Sequence, residues 1–202
     1  MYLPNHFKLD KTEVPNFITN HPFATLISVA EDAPVVNYAP LLFDTDNNCL
    51  IGHLANSNAH LELMNANPQI TVIFHGPDSY ISPNWYKDKT QVPTWNFTAV
   101  EIRGNVILLT STNDKLQLLE ELSTFHESRI NSDWAINKVP AEKFESMLKA
   151  ITGFKIEIKD IKGKAKLSQN KSLAERSRVI EGLKSLKEGK AEALAELMIE
   201  LT

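Results

Sequence analysis

Three stretches of this chain carry residue types that could hold a ligand. The first is Gly52-His53-Leu54-Ala55-Asn56-Ser57-Asn58-Ala59-His60, where an apolar run gives way to a helical pattern. Asn56, Ser57 and Asn58 are preferred N-cap types, and a helix start offers unpaired N–H groups and a positive dipole end to a phosphate. His60, in the first turn, adds a donor. The plainer alternative is that the three residues only cap the helix. The second stretch runs over residues 74–97 and groups Tyr80, Trp85 and Tyr86 with Trp95, Asn96 and Phe97. Aromatic rings with polar tips suit a planar ligand or a subunit interface, or else cover a core. The third is Gly163-Lys164-Ala165-Lys166-Leu167-Ser168-Gln169-Asn170-Lys171. Its lysines could neutralise a phosphate, and Ser168, Gln169 and Asn170 could position it. The alternative is an exposed connector between a strand and a helix.

Other chemistries find less support. His53, His60 and His75 lack metal-ligand spacing, and Cys49 with His53 makes a single pair. No Gly-x-Ser-x-Gly elbow, dinucleotide fingerprint or phosphate loop occurs, and no helix-turn-helix pattern stands out.

These stretches need elements to position them. Runs rich in Val, Ile, Leu and Phe at residues 23–29, 35–43, 49–54 and 70–75 read as strands. Turn-forming clusters at residues 31–34, 44–48 and 65–68 separate them. A longer run over residues 98–110 contains Gly104, which predicts a bulge or a close backbone approach. Residues 154–159 alternate strictly, as a half-buried strand does. The segments 74–86 and 92–97, with their prolines and glycine, read as loops. Helices are expected at 59–65, at 113–130 with Asn113 as N-cap, and at 140–151 with Gly153 at its end. Two more are expected at 172–186 and 191–201. About six short strands, too tightly spaced for repeated βαβ units, predict a mainly β fold, a small closed or split β-barrel with appended helices.

The chain has 202 residues, of which 43% are hydrophobic and 23% charged, so it can bury a core without staples. One cysteine excludes an intrachain disulfide framework. No apolar run is long enough for a transmembrane helix. Residues 1–6 show neither a basic n-region nor an apolar h-region, from which a cytoplasmic chain without a signal peptide is expected. The net charge of −4 hides an asymmetry, for residues 155–190 carry 11 basic and 5 acidic side chains. That is either an anion-binding surface or a solvated helix face.

In this order and spacing the motifs resemble the PaiB family of FMN-binding negative transcriptional regulators. The resemblance covers nearly the whole chain. It is carried by Met1-Tyr2-Leu3-Pro4 with His6-Phe7, by His21-Pro22-Phe23-Ala24-Thr25-Leu26, and by Gly52-His53-Leu54-Ala55. Gly76-Pro77, Tyr80-Ile81-Ser82-Pro83, Trp85-Tyr86 and Val92-Pro93-Thr94-Trp95-Asn96-Phe97 are its most specific part. Ile151 with Gly153-Phe154, and Lys166-Leu167-Ser168-Gln169-Asn170, close the pattern. The resemblance implies a pyridoxamine-phosphate-oxidase-like FMN-binding split barrel over residues 1–170. A helical extension, 171–202, would pack on the barrel or on a partner subunit. It implies a homodimer with FMN at the subunit interface and a regulatory role in which DNA could be a partner. The alternative function is a flavin-dependent oxidoreductase, or a haem-handling enzyme, of the same superfamily. By the matching motifs, Asn56, Ser57, Asn58 and His60 would face the phosphate. Lys166, Ser168, Gln169 and Asn170 would reach it or the ribityl chain, and Trp85, Trp95 and Asn96 would line the ring slot. The family places Arg where this chain has Asn56, so one charge-assisted phosphate contact is missing. Lys166, Arg103 and His60 are candidates to compensate for it.

Overall fold

A computed structural model describes residues 1–31 and 33–201. Asp32, in the first expected turn cluster, and Thr202 lie outside the described residues. Seven strands, β1 (Phe23–Ala30), β2 (Ala33–Pro40), β3 (Leu42–Asp44), β4 (Cys49–Ala55), β5 (Gln69–Ile81), β6 (Thr94–Leu109) and β7 (Ile151–Lys166), form one sheet in the order β2-β1-β5-β6-β7-β4-β3. The pairs β1–β2, β1–β5, β3–β4 and β4–β7 are antiparallel, as a barrel without βαβ crossovers requires. Six helices accompany them: α1 (Val14–Asn20), α2 (His60–Ala66), α3 (Thr112–Arg129), α4 (Ala141–Lys149), α5 (Leu173–Ser185) and α6 (Gly189–Glu200).

The sequence reading is corrected in five places. The run over residues 35–43 is two strands, and Leu41 between them donates its N–H to the Pro22 carbonyl. Residues 74–81, expected as a loop, continue β5 as far as Ile81. Pro77 is tolerated there because β1 pairs with β5 only from Thr71 to Phe74, so no bond to β1 is lost at the proline. Trp95, Asn96 and Phe97 stand on β6, not on a loop, and Gly163 to Lys166 end β7 instead of forming a connector. Gly153 lies inside β7, and α4 stops at Lys149. Smaller adjustments concern caps: Ser111, not Asn113, accepts the Asp114 N–H at the start of α3. Helix α1 was not expected.

The chain divides into two compact units. One comprises residues 18–74 and 102–161 and contains β1 to β4, α2, α3 and α4. Its interior holds Leu26, Leu50, Val72, Phe74, Ile102, Phe154 and Ile156, all essentially inaccessible. A satellite cluster packs Cys49 and Ile51 of β4 against Leu118 and Leu122 of α3. Strict alternation along β1 sends Ala24, Leu26 and Ser28 inward and leaves Phe23 and Val29 exposed. Gly104 answers the expectation of a close approach, since a Cβ there would strike the Glu157 carbonyl of β7.

The other unit comprises residues 1–17, 75–101 and 162–202. Its core joins Ile81 and Tyr86 to Ala165 and Leu167 of the β7 end, then to Val179 and Leu183 of α5 and Leu194 and Met198 of α6. Trp85 lies against Gly182 of α5, where a Cβ would collide with the indole. Arg176 of α5, itself buried, donates to the Met198 carbonyl in the last turn of α6 at 3.0 Å. A cation at a helix C-terminus is favoured by the dipole, and this bond ties the two helices together.

Candidate flavin site

Within the unit of residues 1–17, 75–101 and 162–202, a cleft of about 220 Å³ opens between the start of β6 and the turn that follows β7. Asn96, Lys166, Ser168 and Asn170 line it, as do Tyr86 and Lys171. Four residues expected from the sequence therefore meet in one place. They meet because β6 and β7 are sheet neighbours whose ends carry the two motifs.

The turn that lines the cleft is strained. Ser168 adopts a left-handed backbone (φ 62°), an unfavourable conformation for a serine. Gln169 holds the turn, its Oε1 accepting from the Leu167 N–H at 2.8 Å while its Nε2 donates to the Ala165 carbonyl at 2.6 Å. The Asn96 amide nitrogen donates to Ser168 Oγ at 2.9 Å, and more weakly to the Met198 sulfur at 3.7 Å. Asn96 is fully buried, yet its Oδ1 has no hydrogen-bond partner among the described residues. Buried amide oxygens are nearly always satisfied, so this one is an acceptor in search of a donor.

Two cations stand over this acceptor's cleft. Lys166 Nζ donates to Thr94 Oγ1 and, at 2.7 Å, to the Trp95 carbonyl. Burial, with the Lys164 charge nearby, pushes its pKa below the ordinary lysine value. Lys171 Nζ donates to Gln91 Oε1 at 2.6 Å and sits 5.5 Å over the Tyr86 ring. Burial pushes the Tyr86 phenol up, opposed by a hydrogen bond with Ser168. Lys164, by contrast, is consumed by the fold: it is buried, donates to the Tyr2 carbonyl and lies 5.1 Å over Phe97. Trp85 is partly buried and packs against the core of this unit, whereas Trp95 is 54% exposed and meets Tyr80 edge-on at 6.2 Å.

Asn56, Ser57, Asn58 and His60 belong to the other unit. Asn56 donates from Nδ2 to the Lys149 carbonyl at 2.7 Å and accepts from Thr152 Oγ1 at 2.8 Å, so both amide atoms are in use. Asn58 accepts the His60 N–H at 3.0 Å, doing the work of a cap one residue ahead of the cap position. Its amide also pairs reciprocally with that of Asn37 on β2. Ser57 is exposed and His60 is buried. Burial holds the His60 imidazole below its ordinary pKa. This segment carries no cation, while the cleft carries two.

Sequence reasoning passed over Gln91 and Asn37. Lys171 and Tyr86 were visible inside quoted motifs, and only the fold turns them toward Asn96. Asn37 had no local signal, because its partners are 21 and 23 residues away. Arg103 is in the same unit as Asn56. No three His, Cys, Asp or Glu side chains among the described residues are placed to hold a metal, and no helix is long and apolar enough to cross a membrane.

A dianionic phosphate needs cationic donors, and a ribityl chain needs acceptors for its hydroxyls; Lys166, Lys171 and the unsatisfied Asn96 Oδ1 offer both. The residues present therefore fit FMN. Comparison with known proteins agrees. Residues 1–160 match the family described as "Putative FMN-binding domain". In fold, the chain is similar to the FAD and haem binding protein from Mycobacterium smegmatis (TM-score 0.61, 14% identity, 83% of this chain and 77% of that one). It is likewise similar to the flavocytochrome Anf3 from Azotobacter vinelandii (TM-score 0.58, 16% identity, 77% and 67%). The class is thus a flavin-binding split barrel, with FMN as cofactor. Within that class the chain belongs to the PaiB family. It is 34% identical over 204 residues to the protease synthase and sporulation protein PAI 2 of Bacillus subtilis, covering 98% of this chain and 96% of that protein.

Proposed function

We propose that this protein is a cytoplasmic, homodimeric FMN-binding regulator. The observation that carries the flavin site is the fully buried Asn96 Oδ1, an acceptor without a donor on the wall of a cleft that holds Lys166 and Lys171. Lys166 and Lys171 would take the phosphate, Asn96 a ribityl hydroxyl, and Ser168 and Asn170 the rest of the chain. Gln169 fixes the turn beneath them. Trp95, with Tyr80, offers an exposed aromatic face to the ring, while Trp85 supports the cleft from the core. FMN, once held, supplies reversible electron uptake, and the protein supplies its placement. In the segment 56–60, where Asn56 and Asn58 are occupied, the Ser57 hydroxyl is exposed and the His60 ring is buried. Residues 1–170 would form the flavin domain and 171–202 its helical cover.

The dimer reading is supported by the outer face of β1 and β2. Phe23 stacks on Tyr38 at 6.4 Å, and Phe23, Val29, Val36 and Tyr38 are all exposed. Register places Ile27 beside Val36 and Thr25 beside Tyr38, so the face is continuous and bears no charge. An apolar patch of this kind marks an interaction surface.

The first test is an absorption spectrum of the purified protein, followed by titration with FMN under tryptophan fluorescence. Saturable quenching at one FMN per chain is the expected result. Lys166→Gln and Lys171→Gln should each weaken FMN by about tenfold, the scale of one charge-assisted bond. Unchanged affinity in both would overturn the cleft assignment. Regulation through DNA predicts a gel shift at low salt that weakens steeply as salt rises. The family match favours this reading over an oxidoreductase; rapid reduction of bound FMN by NAD(P)H would reverse that order.

A further inference from the structure

Strand β1 outruns one of its two partners. Its ladder with β5 extends from Ala24–Phe74 to Ile27–Thr71, whereas its ladder with β2 continues to Ala30. Past Ile27 the pairing with β5 stops, and there a cleft of about 350 Å³ opens, large enough for a small organic ligand. Every residue lining it belongs to the unit of residues 18–74 and 102–161, and none lines the cleft that holds Lys166 and Lys171.

Ser28 lines this cleft from an inward position on β1. It is 1% exposed, and its Oγ has no hydrogen-bond partner among the described residues. The preceding inward positions are Ala24 and Leu26. An alanine at position 28 would occupy the place without desolvating a hydroxyl, so the fold gains nothing from this oxygen. A hydroxyl can donate or accept, and the charge around it decides which is wanted. That charge is positive: Arg103 of β6 and Lys159 of β7 line the cleft, and no Asp or Glu does. Gly104 lets the two strands close up here, since a Cβ on it would strike the Glu157 carbonyl, two residues before Lys159. A guanidinium has five donors and an ammonium three. Arg103 can therefore keep a contact within the fold and still meet a ligand. Lys159 reaches Glu157 at 3.8 Å with both side chains about half exposed, an ion pair too weak to hold it. Asn67, also on the cleft wall, accepts the Gln69 N–H on its Oδ1 at 3.3 Å, so the other end of that amide is a donor. Ile27 and Ile70 supply apolar wall beside these groups.

We propose that this cleft is a second ligand site, for a small organic oxyanion. The anionic head, a phosphate monoester or a carboxylate, meets Arg103, Lys159 and the Ser28 hydroxyl, and the apolar body lies along Ile27 and Ile70. Both heads present the same acceptor oxygens, and the guanidinium fork suits either. The site stands independently of the flavin reading.

The experiment is calorimetric titration of the full chain at low salt with phenyl phosphate, with benzoate and, as a neutral body of similar size, with benzyl alcohol. Backbone N–H NMR locates each probe. At least one anion should saturate at one per chain and move the signals of residues 27–29, 69–71 and 103–105, and benzyl alcohol should not saturate. Binding of phenyl phosphate alone assigns the site to phosphate monoesters, binding of benzoate alone to carboxylates, and similar binding of both to the oxyanion as such; each supports the proposal. Arg103→Gln should weaken the bound anion by about tenfold, the scale of one charge-assisted bond, and Ser28→Ala by about three- to tenfold. Ser28→Ala should not lower the melting temperature, because the hydroxyl has no partner to lose, and it decides the matter if Arg103→Gln folds poorly. Excess FMN should leave the anion in place. Absence of saturable binding by either anion would overturn the proposal, as would equal binding of benzyl alcohol. Full affinity in Ser28→Ala, displacement by FMN, or signals that move only around Lys166 and Lys171 would overturn it too.

Discussion

At the scale of single residues, polar groups divide into those the fold consumes and those it leaves facing a ligand. Asn56 belongs to the first kind. Asn56→Ala should lower stability by about 1 kcal/mol, for two partly exposed hydrogen bonds, and leave FMN affinity nearly unchanged. Urea denaturation and an FMN titration of the same variant test both halves, and a large loss of affinity with intact stability would contradict the division. The histidines give a second residue-scale prediction. Burial holds His53 and His60 below the ordinary imidazole value, and burial with the Arg129 charge does the same for His21 and His126. Below about pH 6.5 the unfolded chain takes up protons that the folded chain refuses. Their contribution is therefore complete above that pH and is lost as pH falls toward the lower folded values. The melting temperature should be level above about pH 7 and fall between about pH 6.5 and 5. Asp10, Asp44 and Asp88 act only at lower pH, because hydrogen bonds from Thr12, Asn47 and Thr90 hold their carboxyls down. A flat melting temperature from pH 7 to 5 would contradict this account.

At the scale of elements, α5 and the 3-10 turn at Pro83–Trp85 show propensity overruled by packing. Glycine inside a helix costs about 1 kcal/mol relative to alanine, so Gly182→Ala looks stabilising from propensity alone. The indole of Trp85 occupies the space its Cβ would need. Overpacking typically costs about 1–3 kcal/mol, and Gly182→Ala should therefore lower the melting temperature. A shift in Trp fluorescence should accompany the loss. A variant as stable as the wild type would mean that Trp85 can retreat at no cost. The same contest explains the strand ends. Pro77 argues for a loop until the short reach of β1 removes the ladder bond that proline would break. Gly163 to Lys166 read as a connector until β7 runs on as far as Lys166. Long strands that carry breakers are not legible locally, because the cost of a breaker depends on which neighbour is opposite it.

At the scale of the whole molecule, the uncharged face of β1 and β2 predicts self-association. Sedimentation should report about twice 22.7 kDa at micromolar concentration. Tyr38→Lys should shift the protein toward monomer without lowering its helix or strand content, since the side chain is 62% exposed in the single chain. If FMN lies between subunits, the same variant should also bind FMN more weakly. A Tyr38→Lys protein that remains dimeric would move the interface elsewhere.

The sequence alone determined the class of fold, the cofactor and most of the residues around the cleft. Short apolar runs with turn clusters between them exclude a parallel sheet, and ordered motifs over the whole chain carry the family. Asn96, Lys166, Ser168 and Asn170 were legible because each lies inside a motif. What they do was not legible. Whether a polar atom is spent or available depends on what stands opposite it. For Asn56 that is Lys149 and Thr152, more than ninety residues away in the chain, and for Asn96 it is Ser168, 72 residues away. Local pattern fixes residue type, whereas hydrogen-bond satisfaction is a property of three-dimensional neighbours. Only the folded chain could separate Asn56, which closes a turn, from Asn96, which keeps an atom in reserve.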